Sequence, residues 1–184
     1  MAWWQTIIGA GFGTALVQVL IDIYRDRRDR KLQADYMAMR LAVILEEFVV
    51  KCVHRAWHDD ADLAEGSSAL DYNLPTLACY PQDSDWKSLD PKLAGQVLSF
   101  PNEITSAGLS SQFEGTREGN TIASANKTIV AGVRAWELAQ ALRKKYHLDA
   151  VAIQHVDFLR ERQKKIQMET LEWRNSKNNP FHKG

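Results

Sequence analysis

The chain has 184 residues, room for one domain with a core or one domain plus an anchor. It carries 23 basic and 23 acidic residues, for a formal net charge of +0. The basic excess with which proteins displace phosphate counterions is missing, so duplex DNA is not an expected partner. Two cysteines, Cys52 and Cys79, are too few for a disulfide framework and read as reduced thiols.

The first element runs from Trp3 to Ile23 with no Lys or Arg and one acid, Asp22. As a helix it is about 31 Å long, close to the hydrocarbon thickness of a bilayer. Trp3 and Trp4 at one end and Tyr24 at the other suit the interfacial aromatic belts. The run Arg25-Asp26-Arg27-Arg28-Asp29-Arg30-Lys31 follows. Basic flanks stay on the cytoplasmic side, so a transmembrane helix is expected with its N-terminus out. A cleaved signal peptide would place its basic residues before the apolar stretch. Gly9, Gly11 and Gly13 look like a dinucleotide-binding turn. Thr14 stands where the third glycine would be needed, and no βαβ pattern follows. Gln5, Thr6, Gln18 and Asp22 make the stretch only moderately apolar, and a soluble amphipathic helix is the rival reading.

Gly11, Thr14, Ala15, Gln18 and Asp22 recur at spacings of three and four and share one face. Gly9 and Gly13 form a small-xxx-small pair that lets helices approach in lipid. Gly9, Gly11, Gly13, Thr14, Gln18 and Asp22 are therefore the expected oligomerisation residues. The alternative is that Gln18 and Asp22 snorkel to the headgroups.

Beyond the basic run the helical pattern continues without Pro or Gly. Ala38, Leu41, Leu45, Phe48, Cys52 and Ala56 recur on one face. Anchor and first bundle helix are expected to form one rod, broken near Asp59 to Gly66. Residues 63–87 read as loop, with turn-prone Gly66, Asn73, Pro75 and Pro81. Asp90-Pro91 is a helix start, with an N-cap Asp and Pro at the first helical position. That helix is expected to end before Pro101, with a second short one from Pro101 to about Phe113. A long helix follows from Thr121 to about Tyr146, its core face formed by Ile122, Ala125, Ile129, Val133, Trp136 and Ala139. The last helix is expected from about Asp149 to Trp173, packing by the stripe Val156, Leu159, Gln163, Ile166, Thr170 and Trp173. The expected organisation is 1–24 transmembrane anchor, 25–58 basic stop and long helix, 59–90 loop-rich connection, 91–175 helices completing the bundle, and 176–184 flexible tail. The fold class is all-α: a single N-terminal transmembrane helix continuing into a cytoplasmic bundle of four or five helices.

Little in the chain carries chemistry. His54 and His58 lie four apart, a spacing at which imidazoles point the same way, near Asp59, Asp60 and Asp62. No second ligand cluster completes a coordination sphere, so no metal and no cofactor are expected. Glu46 and Glu47 point to different sides of their helix. Arg143-Lys144-Lys145-Tyr146-His147 is similar to the Arg…His motif of HEPN ribonucleases, helical domains that cleave RNA as dimers. The spacer of three residues is shorter than that family's. The resemblance implies Arg143 and His147 as a catalytic pair, one stabilising phosphate charge and one moving protons, with RNA as a partner. A cationic cap on the helix C-terminus is the structural alternative.

Asp85-Trp86-Lys87-Ser88-Leu89-Asp90-Pro91, Leu98-Ser99-Phe100-Pro101-Asn102-Glu103-Ile104 and Leu138–Tyr146, together with the anchor and basic stop, resemble a group of small, uncharacterised bacterial membrane-anchored helical proteins. In layout the chain is also similar to the accessory membrane proteins of type VI-B CRISPR systems. These resemblances imply a bacterial inner-membrane location, with the C-terminal part cytoplasmic. They also imply a self-associating scaffold, pore or accessory effector in stress or anti-phage responses. A membrane-tethered HEPN-like ribonuclease and a soluble helical interaction module are the alternatives. The lipid bilayer and a second copy of the chain are the expected partners; no protein partner can be named from the sequence.

Overall fold

The computed structural model describes residues 3–65, 73–82, 85–118 and 121–177, without the side chains of 3–16, 59–65, 115–118, 121–124 and 173–177. Among the described residues the fold is all-helical, with four α-helices and no strand. These are α1 (Trp3–Glu65), α2 (Pro91–Glu118), α3 (Thr121–Lys145) and α4 (Val156–Lys177), with a 3-10 turn at Trp86–Ser88 before α2.

The expected rod is present: α1 is a single helix of 63 residues, about 94 Å long at the usual rise. It contains no proline, and its glycines all lie before Thr14, so no local signal breaks it. The stripe Ala38, Leu41, Leu45, Phe48, Cys52 and Ala56 is buried as expected. Facing it is α3, which also packs on α2 and α4 and so sits at the centre of the bundle. Ile129, Val133, Trp136 and Ala139 supply its buried face; Ile122 of the expected stripe has no described side chain. Phe48 and Phe100 meet edge to face at 5.7 Å between ring centroids, joining α1 to α2. At Gly132 the helices approach closely. A Cβ there would lie 2.8 Å from Cys52 Cβ and 3.0 Å from Leu159 Cδ1, so only glycine lets α3 seat against both α1 and α4.

Several boundaries differ from expectation: α1 reaches Glu65, inside the expected loop, and α2 runs past Phe113 to Glu118. The helix does not end at Pro101; α2 runs through it as one 28-residue element. Proline there removes the amide that would bond the Val97 carbonyl. The Tyr80 hydroxyl, from the segment 73–82, donates to that carbonyl at 3.0 Å and replaces the missing donor. Further along, α4 starts at Val156 rather than near Asp149. His155 has φ 66°, a left-handed conformation that cannot lie inside a right-handed helix. The Asp149 carbonyl, upstream, accepts a bond from Arg143 Nη1 at 2.6 Å and is engaged outside any helix. Of the expected α4 stripe, Val156 and Leu159 are buried and Ile166 partly so, whereas Thr170 is exposed. The expected tail falls mainly on 178–184, outside the described residues.

Candidate functional site

Two regions hold the residues that sequence reasoning singled out. The first is the N-terminal half of α1. Every side chain from Val17 to Gln33 is exposed, and burial begins only at Ala34. The exposed set includes Val17, Val19, Leu20, Ile21, Ile23 and Tyr24, followed directly by the basic run. Gln18 and Asp22 lie on this bare helix. Gly9, Gly11, Gly13 and Thr14 are helical in backbone, but their side-chain surroundings lie outside the described residues. Among the described residues, no helix is long and apolar enough to cross a membrane.

The second region is the C-terminal end of α3, which carries Arg143 and His147. Arg143 turns inward and is only 7% exposed, against Glu46 at 8%. Its Nε and Nη2 donate to the two carboxylate oxygens of Glu46 at 2.5 and 2.8 Å, and Nη1 donates to the Asp149 carbonyl. The fork-to-fork geometry fixes α3 on α1 across 97 residues of sequence. The hydrogen bonds that the guanidinium donates to Glu46 hold it further above its ordinary pKa, outweighing burial. With three nitrogens so engaged, the group is not presented to a phosphate. His147 is exposed, with φ 52°. Leu148 N–H donates to the Arg143 carbonyl at 2.9 Å, the long return bond of a Schellman C-cap with His147 at its left-handed position. The Arg143 side chain thus packs inward on Glu46, while His147 occupies the helix C-cap.

Next to this cap, α2 and α3 are tied end to end. The Asp90 amide donates to the Tyr146 hydroxyl at 2.6 Å. Asp90 Oδ1 accepts from the amides of Lys92 and Leu93 at 3.1 and 3.2 Å, as an N-cap should. Its other oxygen meets Lys145 Nζ at 3.3 Å. The Leu93 amide foremost, then Lys145, holds the Asp90 carboxyl below the usual carboxylate range.

The thiols offer little reactivity. Cys52 is buried, and burial pushes its pKa up, away from the thiolate; Cys79 is exposed and free. A largely apolar groove of about 380 Å³ runs between α2 and α3, floored by Phe100, Ile104, Ala107 and Val130, with Glu103 and Arg134 at its rim. Asn126 and Lys127 also line it. Tyr80 is absent from the sequence reading, and Glu46 appears there without its partner. Glu46 had a signal, since it sits inside the buried stripe between Leu45 and Val49, and a charge on such a face needs a partner. No known protein family, curated protein or solved structure matches this chain.

Proposed function

We propose that this chain is a membrane-anchored, self-associating helical protein that works as a scaffold or accessory effector, its bundle held at the cytoplasmic face by α1. The observation that supports the reading is the bare N-terminal half of α1. A helix whose described side chains from Val17 to Gln33 are all exposed, apolar residues included, buries little within its own chain. Lipid and neighbouring copies are the environments that would cover the apolar part, and the basic run suits anionic headgroups. Small and polar residues along one face, Gly11, Thr14 and Gln18 among them, and the separate Gly9 and Gly13 pair suit close contact between copies.

Fractionation of cells making the full chain tests the first half of the reading. The protein should sediment with membranes, resist an alkaline wash and need detergent for release; recovery in the soluble fraction would replace the anchor with a soluble interaction module. Size measurement in detergent tests the second half. A defined oligomer that shrinks in the Gly13→Leu, Gln18→Leu double variant is expected, and an unchanged size would remove self-association through these residues. Dye release from vesicles carrying the purified protein would add pore formation to the reading; intact vesicles would leave the scaffold.

A further inference from the structure

We propose that His54 and His58 form a binding site for a divalent transition-metal ion of the zinc class on the outer surface of α1. The two residues lie one helical turn apart, and both are exposed. Their Nε2 atoms approach to 3.2 Å. The rings are 4.4 Å apart between centroids and tilted by 58°, so the nitrogens converge while the rings splay.

That separation is the one a shared metal requires. With zinc–nitrogen bonds of about 2.0–2.1 Å, two nitrogens so spaced subtend about 100° at the ion, near the tetrahedral angle. Imidazole suits zinc, copper and nickel, and calcium or magnesium would not be held by nitrogen donors. The rigid helix backbone sets the spacing before the ion arrives, so little ordering is required on binding. Among the described residues, no group of three or more His, Cys, Asp or Glu gathers as a ligand set. The pair therefore supplies two positions, and water or an outside ligand completes the sphere, the open arrangement of a site that exchanges ligands. Without metal, the same contact serves as a hydrogen bond between the two Nε2 atoms.

Titration of the full chain with zinc chloride, followed by calorimetry, tests the site. One ion per chain should bind at micromolar free zinc. His54→Ala and His58→Ala should each weaken binding at least tenfold, while Cys79→Ser and His155→Ala leave it unchanged. Wild-type protein should also melt higher with zinc than without, and that rise should vanish in the two histidine variants. Both positions are exposed, so the metal-free variants should keep the wild-type far-ultraviolet circular dichroism; His54→Gln and His58→Gln stand in if an alanine variant does not fold. Absence of saturable binding up to millimolar zinc would overturn the proposal. So would wild-type affinity in either histidine variant, since the ion would then sit elsewhere.

Discussion

Arg143 and Glu46 each occupy a place where a lone charge would be poorly solvated, and each makes the other tolerable. Arg143→Met leaves a buried carboxylate without its cation and should lower unfolding free energy by about 3–5 kcal/mol. The Glu46→Leu, Arg143→Met double variant should recover most of that loss, because both charges then leave the interior together. Urea unfolding of the four proteins measures the coupling; a double variant as unstable as the sum of the singles would mean that the pair does not act as a unit. His147 supports a finer test. A left-handed C-cap favours glycine and penalises β-branched side chains. His147→Gly should raise stability by about 0.5 kcal/mol and His147→Val should lower it by about 1 kcal/mol, read as opposite shifts of the denaturation midpoint.

At the scale of elements, α2 shows how a helix survives a proline. Tyr80→Phe should lower stability by about 1–2 kcal/mol, because the Val97 carbonyl loses its donor. In a Pro101→Ala background the same change should matter much less, since an alanine amide can bond that carbonyl. Equal losses in both backgrounds would show that the hydroxyl contributes by something other than replacing the proline's missing amide, since the ring that packs edge to face on Trp86 at 5.7 Å is kept in phenylalanine. The joint between the N-terminus of α2 and the C-terminus of α3 carries a pH dependence. Asp90 is held below its ordinary pKa in the folded protein, so its contribution is present above the unfolded-state value. It is lost as pH falls through the folded value. Asp90→Asn keeps an N-cap acceptor and removes the titration. Wild type should be more stable than this variant at neutral pH, with the difference closing in the acid range; a gap that persists at low pH would assign it to something other than the carboxylate.

These elements also show what a sequence discloses. The α1 and α3 core stripes were legible because burial on one face imposes a 3.6-residue period that nothing else produces. Asp90 and Pro91 marked the start of α2 because capping is local chemistry. The continuation through Pro101 was not legible, for its cause is a hydroxyl from another segment, 17 residues from the carbonyl it serves. The late start of α4 likewise depends on the backbone turn at His155 and on the Asp149 carbonyl held by α3. Arg143 was legible as a residue, but its partner Glu46 is remote in sequence and near only in the fold.

For the whole molecule, the long span of α1 has a mechanical consequence. Between its glycine-containing beginning and Glu65 it has neither proline nor glycine, so the angular position of each side chain is locked to that of every other. Turning the apolar end about the helix axis turns the face that carries Leu45 and Glu46 with it, as the bit of a key follows its bow. Inserting one residue near Asp29 would swing the two ends about 100° out of phase, whereas seven would leave them within about 20°. The orientation of the bundle is thus set by whatever grips the other end of the shaft.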